Sequence, residues 1–369
     1  MPLKLIFSGG GTGGHIFPAI AIANAVKKLV PHAEILFVGA IGRMEMEKVP
    51  AAGFKIEGIP IAGLQRRLSL ANFKLPFLII KSLLKTRRIL NSFKPQVVVG
   101  TGGYASGPLL RSAVSKNIPV LIQEQNSYAG ITNRILSKHA AKICVAYEGM
   151  QAYFPANKIV ITGNPVRPEV IAIAGKRQEA LKYFQLEEGK KTVLVVGGSL
   201  GAKAINETIG RQLSQFPEHR IQLIWQCGRV YYETAKKQAQ EFSGKGICLL
   251  EFISQMDLAY AAADVVISRA GAGAISELCL VNKPSILVPL PTAAEDHQTK
   301  NAMALVNKRA ALLVKDNECQ SKLVSECLAL LKDHDLQMEL SKNSAGLAQH
   351  DSAMRIAKEV LMLAHYTLT

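Results

Sequence analysis

Short runs of consecutive apolar residues alternate with longer amphipathic stretches along the whole chain. Strands that are apolar at every position, rather than at every second one, are typical of parallel sheets covered by helices on both faces. The stretches between them, such as Ala19–Leu29, Ala202–Leu213 and Ala272–Leu280, have apolar residues at helical spacing. The runs that predict strands are Leu5–Phe7, Ile35–Val38, Val97–Val99, Val120–Ile122, Ile143–Val145, Ile159–Ile161, Val193–Val196, Gln222–Trp225, Ile247–Leu250, Val265–Ile267, Ile286–Val288 and Leu312–Val314. The pattern predicts an α/β fold.

The same pattern starts again near residue 190. The segment Leu5–Gly14 is echoed by Val193–Ala202, and a helical pattern follows each of them. Between the two sets, the turn residues of Gly163–Pro168 end regular structure. We therefore expect two doubly wound, Rossmann-like α/β domains that face each other across a cleft, because such sheets bind ligands at the carboxyl ends of their strands. The last predicted helix, Ala353–Leu363, fits either domain.

Four glycine-rich segments separate a predicted strand from a predicted helix. They cover residues 9–14, 100–107, 197–201 and 271–273. Glycine permits a tight turn and a close approach of backbone N–H groups to a ligand, and the helix N-terminus that follows adds partial positive charge. One such loop is weak support for an anion site, but four in register with the α/β pattern favour a phosphate or diphosphate site in at least one of them.

The first of these loops also matches the dinucleotide-binding fingerprint. Residues 9–14 read G-x-G-x-x-G, but that fingerprint requires an acidic residue at the end of the second strand to hold a ribose. Here the second strand ends in Phe37–Gly42, which contains no carboxylate. A nicotinamide enzyme is therefore an alternative, not the preferred interpretation. A Walker loop is excluded, because Ala202 and Ala204 occupy its glycine and Ser/Thr positions.

Two titratable residues follow glycine loops closely. His15 lies at the start of a predicted helix, where the helix N-terminus lowers a histidine pKa and favours a neutral imidazole that accepts a proton. A polar residue that satisfies free N–H groups is an equally good interpretation of His15. Glu277 lies one turn into a helix and is suited to accept hydrogen bonds from a ribose diol, although complementing the helix dipole also explains it.

Three polar clusters lie between the apolar runs. Gln123–Asn126 follows a strand directly, which suits either a binding site or a hydrogen-bonded turn. Asp296–Gln298 opens a helix, where an acidic cap is ordinary. Asp333–Asp335 resembles the D-x-D of metal-dependent sugar transferases, but it follows a late helix, and we expect a solvated loop. The sequence contains neither H-E-x-x-H nor a Cys/His cluster, so we expect no metal and no cofactor.

Net charge changes this picture by pointing to an anionic partner. Lysine and arginine total 44 against 28 acidic residues, a net charge of +16. Gly63–Lys94 combines many basic residues with apolar ones and contains no acidic residue, which favours contact with an anionic membrane surface over a helix that merely packs on the sheet. Nucleic acid is not expected, because no binding module or aromatic stacking surface accompanies the charge.

The cysteines and the hydropathy of the sequence restrict the cellular location that we expect. The six cysteines form no C-x-x-C pair and lie mostly in apolar runs, as reduced core residues of a cytosolic protein do. No secretory signal follows Met1. The most apolar stretch, Leu75–Leu84, is interrupted by Lys81 and is far shorter than the roughly 20 residues that a spanning helix requires. We expect a protein that does not cross the membrane.

Taken together, the glycine loops and polar clusters resemble the MurG family of UDP-N-acetylglucosamine transferases, in glycosyltransferase family 28. The matching segments occur in family order and at family spacing over most of the chain, which makes the ordered set highly specific. They are Gly10–Pro18, Gly102–Pro108, Glu124–Asn126, Gly163–Arg167, Gly197–Ala202 and Asp296–Thr299.

The resemblance implies a glycosyltransferase B fold and a reaction. N-acetylglucosamine passes from UDP-N-acetylglucosamine to the C4 hydroxyl of lipid I, N-acetylmuramoyl-pentapeptide pyrophosphoryl-undecaprenol, with inversion, giving lipid II and UDP for peptidoglycan synthesis. Residues 1–163 with a C-terminal helix at about 351–369 are expected to bind the acceptor and the membrane, and residues 164–350 the UDP-sugar. The implied location is peripheral, on the cytoplasmic face of the inner membrane, and other cell-wall synthesis proteins remain open as partners.

The resemblance also implies roles for single residues. Tyr104, Glu124 and Asn133 are expected to face the acceptor, and our hypothesis for the general base is His15, with Glu124 in reserve. The residues implied for the donor are Thr12, Gly13, Gly14, Asn126, Arg167, Ser199, Ile253, Ala272, Gly273, Ala274, Glu277 and Gln298. Among them Ser199 and Ala272–Ala274 would hold the diphosphate and sugar, Glu277 the ribose and the Ile253 backbone the uracil.

The sequence departs from the family at two donor-side turns. Gly273 and Ala274 are smaller than the family's usual residues, and Leu200 replaces a common glutamine, so side-chain contacts through those positions are not expected. A related enzyme of the same fold, such as a UDP-sugar 2-epimerase or a glycolipid synthase, is the second alternative, ahead of a nicotinamide-binding protein.

Overall fold

The computed structural model describes residues 2–62, 75–198 and 201–367. Ser199, Leu200 and the first part of the basic apolar segment, residues 63–74, lie outside the described residues. The chain divides into two compact units, unit 1 with residues 1–166 and 350–369 and unit 2 with residues 167–349.

Unit 1 is built on a parallel sheet of seven strands in the order β3-β2-β1-β4-β5-β6-β7. The strands are apolar at nearly every position because helices cover both faces of the sheet. Ser8 at the end of β1 pairs with Gly100 at the end of β4, so these two strands end level with each other. The strands are β1 (Lys4–Ser8), β2 (Glu34–Ala40), β3 (Lys55–Ile59), β4 (Val97–Gly100), β5 (Val120–Glu124), β6 (Lys142–Val145) and β7 (Ile159–Ile161).

The helices of unit 1 form two layers. One face of the sheet buries Phe7, Phe37 and Leu121 against α1 and α16, and the other buries Ile6, Val98 and Ile122 against helices that follow β4 and β5. The C-terminal helix α16 packs directly on α1. The helices are α1 (Gly13–Leu29), α2 (Glu45–Ala51), α3 (Leu75–Phe93), α4 (Ser106–Val114), α5 (Ile131–Ser137) and α16 (Ser352–Leu363).

Unit 2 repeats the design with a parallel sheet of six strands in the order β10-β9-β8-β11-β12-β13. Its core includes the fully buried Trp225, whose indole N–H donates to Asn206 Oδ1 at 3.1 Å. The strands are β8 (Lys191–Val196), β9 (Ile221–Gln226), β10 (Ile247–Leu250), β11 (Val265–Ser268), β12 (Ser285–Leu287) and β13 (Leu312–Leu313). The helices are α6 (Pro168–Ile171), α7 (Arg177–Tyr183), α8 (Lys203–Arg211), α9 (Gln215–Glu218), α10 (Tyr232–Ala239), α11 (Met256–Ala262), α12 (Ala272–Val281), α13 (His297–Val306), α14 (Cys319–Lys332) and α15 (His334–Gly346).

All twelve predicted strands are present, and two features differ from expectation. The edge strand β3 was not predicted, because Glu57 and Gly58 interrupt its apolar pattern and one side of an edge strand is exposed. The prediction of a solvated loop at Asp333–Asp335 was wrong. Asp333 caps α15 by accepting a hydrogen bond from the Leu336 N–H at 2.9 Å, which a short acidic side chain does well at a helix start.

Candidate functional site

All four glycine loops lie at the points where the order of the strands reverses. In unit 1 the reversal falls between β1 and β4, and in unit 2 between β8 and β11. Residues 9–12 and 101–105 follow β1 and β4, and residues 197–202 and 269–271 follow β8 and β11. In open α/β sheets, ligands bind outside the carboxyl ends of the strands at these reversals. The architecture therefore gives each unit one candidate site.

In unit 1 the candidate site contains His15, in the first turn of α1. Its Nδ1 lies 3.0 Å from the Thr101 carbonyl oxygen and 3.0 Å from Gln125 Oε1. The orientation of the Gln125 amide is set by its Nε2, which donates to the Thr101 carbonyl oxygen at 2.7 Å. Because both neighbours present oxygen atoms, Nδ1 carries a proton, and in the neutral imidazole Nε2 is left as the proton acceptor.

Glu124, at the end of β5, fixes the polar turn that follows it. It is 1% exposed, and its oxygens accept hydrogen bonds from the Asn126 N–H at 3.1 Å, the Gly130 N–H at 3.0 Å and Asn133 Nδ2 at 2.8 Å. Asn126 also donates through its Nδ2, at 3.3 Å. Asn133 is buried, and its Oδ1 has no hydrogen-bond partner among the described residues. Asn133 lies near His15, because a Cβ atom on Gly102 would come within 3.0 Å of His15 Nδ1 and 3.5 Å of Asn133 Nδ2.

Tyr104 lies on the other side of the first glycine loop, its ring against Gly11. Burial raises the pKa of the Tyr104 phenol, so it is a hydrogen-bond donor at neutral pH. Thr12 and Gly14 are exposed and Gly13 is half-buried at the rim of the loop, where a ligand can reach them. Of the residues predicted for unit 1, the structure thus brings His15, Tyr104 and Asn133 together around two glycine loops.

Unit 2 contains a cavity of about 590 Å³ between its two glycine loops. Ala274 and Gln298, two of the predicted donor residues, both line it. Ser199, predicted for the same loop, is outside the described residues. The lining residues are Val196, Gly197, Gly198, Gly201, Ala202, Lys203, Ala204, Glu207, Ser268, Arg269, Gly271, Ala274, Leu290, Pro291, Thr292, Gln298 and Asp316. The N-termini of α8 and α12 border this cavity, so partial positive charge meets there.

Sequence analysis missed an ion pair in the wall of this cavity. The Arg269 guanidinium contacts Asp316 Oδ1 at 2.5 Å and donates to the carbonyl oxygens of Val288 and Pro289 at 3.1 and 3.2 Å. The turn that it holds presents the Leu290 N–H to Gln298 Oε1 at 2.9 Å. Arg269 follows β11 directly, so the rule that selected the glycine loops at strand ends could have selected it as well.

Glu277, Ile253 and Arg167 are not among the residues that line this cavity. Glu277 accepts a hydrogen bond from the Tyr260 hydroxyl at 2.9 Å. Burial raises the pKa of the Glu277 carboxyl, while the Tyr260 hydrogen bond and the Arg167 charge act in the opposite direction. Arg167 is exposed at the start of α6, where its charge reaches Glu277.

Gln226, a second residue that sequence analysis missed, connects Ile253 to the glycine loop. Its Nε2 donates to the Gly198 carbonyl oxygen at 2.9 Å, and its Oε1 accepts from the Ile253 N–H at 3.4 Å. The segment at Ile253 is thereby tied to the loop after β8, although the backbone N–H of Ile253 is already used inside the protein.

Both units match family descriptions. The N-terminal domain of glycosyltransferase family 28 matches residues 5–145, and the C-terminal domain of that family matches residues 192–359. Curated relatives carry the name UDP-N-acetylglucosamine–N-acetylmuramyl-(pentapeptide) pyrophosphoryl-undecaprenol N-acetylglucosamine transferase. The protein of Parabacteroides distasonis is 54% identical over 98% of both chains, and that of Flavobacterium psychrophilum is 52% identical over 98% of this chain and 97% of its own.

Solved structures agree with the fold. A crystal structure of Acinetobacter baumannii MurG superposes with a TM-score of 0.81 at 29% identity, covering 98% of this chain and 100% of that one. A UDP-GlcNAc 2-epimerase from Neisseria meningitidis, at 15% identity and a TM-score of 0.67, shares the fold alone. The expected fold of two Rossmann-like units, the glycosyltransferase B type, is confirmed. The chain belongs to glycosyltransferase family 28, among its UDP-N-acetylglucosamine–N-acetylmuramyl-(pentapeptide) pyrophosphoryl-undecaprenol N-acetylglucosamine transferases.

Proposed function

We propose that this chain transfers N-acetylglucosamine from UDP-N-acetylglucosamine to the C4 hydroxyl of lipid I, giving lipid II and UDP in peptidoglycan synthesis. The observation that carries the proposal is the 54% identity, over 98% of both chains, with a relative that bears the name of this transferase. The two candidate sites, one at each sheet reversal, provide one place for a donor and one for an acceptor.

The donor site is assigned to unit 2. The cavity between its glycine loops suits a diphosphate, because the N-termini of α8 and α12 direct partial positive charge into it, while the Arg269 guanidinium in its wall is paired with Asp316. Glu277 takes the ribose hydroxyls, and the Ile253 backbone faces the uracil. Gln298, held by the Leu290 N–H, and Asn126 are assigned to the sugar hydroxyls, with Ser199 and Ala272–Ala274 at the diphosphate.

The acceptor and the base are assigned to unit 1. His15 Nε2 takes the proton of the acceptor hydroxyl as its oxygen bonds to the anomeric carbon, from the face opposite to UDP. The bond between that carbon and the UDP oxygen breaks, and UDP leaves with the bonding electron pair. Glu124 is the weaker candidate base, because its oxygens already accept four hydrogen bonds, from Asn126, Gly130 and Asn133. Tyr104 and Asn133 contact the acceptor.

The charge that develops on the departing diphosphate is stabilised by groups of this chain. Helices α8 and α12 point their N-termini at the cavity, and Arg269, paired with Asp316, lies in its wall. Fixed N–H dipoles aimed at a developing anion supply electrostatic stabilisation of the kind that transfer requires. We therefore propose a reaction that needs no metal ion, with Thr12, Gly13, Gly14 and Arg167 as additional donor contacts.

A membrane contact is assigned to α3. Its buried positions include Ser82 and Thr86, whereas Phe77, Ile80 and Leu84 are exposed by 70%, 56% and 52%. These three apolar residues are spaced three and four apart and so lie on one face of the helix. Among the exposed neighbours on α3 are the basic residues Lys81, Arg87 and Arg88. An apolar stripe flanked by cations suits a surface of anionic lipid at the cytoplasmic face of the membrane, where lipid I is the acceptor.

Within the described residues, none of the helices combines the length and hydropathy needed to span a bilayer. We accordingly propose peripheral attachment, with the described part of Gly63–Lys94 as the contact. Other proteins of cell-wall synthesis are candidates for additional contacts.

The test is transfer of labelled N-acetylglucosamine from UDP-N-acetylglucosamine to a lipid I analogue in the presence of a chelator. We expect UDP release and a labelled lipid-linked disaccharide, both dependent on the analogue. UDP-N-acetylglucosamine that is converted without the analogue would contradict the proposal and favour a 2-epimerase or hydrolase. Loss of transfer on chelation would contradict the metal-free mechanism.

A further inference from the structure

A buried carboxylate lies against the first glycine loop of unit 1. Glu45 is the first residue of α2 and is 0% exposed. Its Oε1 accepts a hydrogen bond from the Ala40 N–H at 3.0 Å, and its Oε2 accepts one from the Gly11 N–H at 3.2 Å. An acidic side chain is almost never fully buried unless it is paired, so these two backbone groups account for its position.

Two glycines leave room for this side chain. A Cβ atom on Gly10 would overlap Glu45 Oε1, and a Cβ atom on Gly39 would overlap Glu45 Cγ. Gly11, which donates to the carboxylate, has a φ of +87°, a conformation that glycine adopts without strain. The glycines of this loop are thus fitted to a carboxylate that the chain itself supplies.

The opposite side of the same loop carries the residues assigned to the acceptor. The Tyr104 ring packs against Gly11, where a Cβ atom would lie 2.9 Å from Cε1. A Cβ atom on Gly103 would overlap the Gly10 carbonyl oxygen and would lie 3.2 Å from the His15 ring. The backbone of residues 10 and 11 is therefore approached by Glu45 and also by Tyr104 and Gly103.

We propose that Glu45 is a positioning residue, which holds the first glycine loop so that His15 and Tyr104 meet the acceptor; this inference rests on the proposed transfer reaction. The carboxylate also occupies the Gly11 amide, the kind of group that such a loop elsewhere offers to a phosphate. Because this amide is not free for a phosphate, unit 1 contacts the acceptor through its side chains, and unit 2 binds the donor diphosphate.

The experiment compares E45Q with E47Q, the same substitution at an exposed residue of the same helix. Glutamine keeps the volume of Glu45 but has one acceptor oxygen for two N–H donors, and its amide group opposes one of them. Transfer kinetics are measured with a soluble lipid I analogue, and UDP-N-acetylglucosamine binding is measured separately by calorimetry. E45D, which shortens the side chain, replaces E45Q with the same expectation if E45Q does not fold.

We expect kcat/KM for the lipid I analogue to fall about tenfold or more in E45Q, mainly through KM, the effect of losing one hydrogen bond to a carboxylate. The donor affinity of E45Q should stay within about twofold of wild type, and E47Q should match wild type in both measurements. If E45Q only lowered the fraction of folded protein, kcat would fall and KM would not change.

Acceptor kinetics of E45Q within twofold of wild type, or a loss of donor affinity equal to the loss in acceptor kinetics, would overturn the proposal. Wild-type protein without transfer would instead refute the proposed function.

Discussion

At the scale of single residues, the two candidate sites depend on groups whose hydrogen bonding the fold controls. His15 Nδ1 lies 3.0 Å from two oxygen atoms, which leaves Nε2 of the neutral imidazole as an acceptor. Burial raises the pKa of the Glu277 carboxyl, whereas the Tyr260 hydroxyl and the Arg167 charge act in the opposite direction and favour the carboxylate that the proposed ribose contact uses. The affinity for the donor should therefore depend on pH through Glu277.

The variant Y260F tests this dependence. Without the hydroxyl, Glu277 loses a hydrogen bond that lowers its pKa, so the pKa rises further. Donor binding needs the carboxylate, is strong above this pKa and weakens as the pH falls through it. We expect the KM for UDP-N-acetylglucosamine to rise on acidification at a higher pH in Y260F than in wild type.

The control for this prediction is E277Q, which has no titratable group at the position. Its KM for the donor should be about tenfold or more above that of wild type and should lose the acid dependence. An acid limb in Y260F that coincides with that of wild type, or that moves to lower pH, would show that Glu277 does not control donor binding.

At the scale of elements, the apolar runs predicted the strands because burial on both faces leaves an unbroken pattern. The same rule missed β3, whose Glu57 and Gly58 break the pattern at a sheet edge. The glycine loops could be predicted because each follows the end of a strand, but the acidic side chains that hold groups at these strand ends could not. Glu45 is 34 residues from Gly11 and Asp316 is 47 residues from Arg269, and nothing in the residues around them distinguishes them from surface acids.

Two glycines of the loop after β8 provide a matched test of backbone fit. Gly198 and Gly201 have φ values of +82° and +80°, so alanine strains both. A Cβ atom on Gly201 would also overlap the Cys227 carbonyl oxygen, whereas at Gly198 no atom of the described residues lies within 4 Å. We expect G201A to lower both the free energy of unfolding and the affinity for UDP more than G198A, whose cost is about 1–2 kcal/mol. Equal effects in urea unfolding and UDP titration would refute this account of the loop.

The exposed apolar stripe of α3, with its basic neighbours, leads to a prediction about lipid binding. Reversing two exposed charges, as in K81E/R88E, should weaken binding to vesicles with anionic phospholipid by at least about 2 kcal/mol, roughly 30-fold. The matched control is K236E/K237E, which reverses two exposed charges on α10 of unit 2 and should bind lipid much better than the α3 variant. Co-sedimentation with vesicles measures both, and equal losses would indicate that net charge, rather than α3, controls attachment.

At the scale of the whole molecule, both units place glycine loops where the order of the strands reverses, but the side chains around these loops differ between the units. In unit 2 the loops after β8 and β11 border a cavity with Arg269 in its wall. In unit 1 the loop after β1 binds Glu45, His15 follows it, and Tyr104 from the loop after β4 packs against it. We propose that repetition of one fold gives the enzyme two sites of different chemistry, one for a nucleotide and one for a hydroxyl group and its base. The central claim is this division between the units.

Calorimetric titration of UDP-N-acetylglucosamine into wild type, H15A and E277Q tests the division most directly. We predict one molecule bound per chain, an affinity of H15A within about threefold of wild type and an affinity of E277Q about tenfold or more weaker. H15A should at the same time lose transfer to a lipid I analogue by about 100-fold or more, as expected for loss of a general base. A second molecule bound per chain, or an H15A variant that loses donor affinity as E277Q does, would contradict the account.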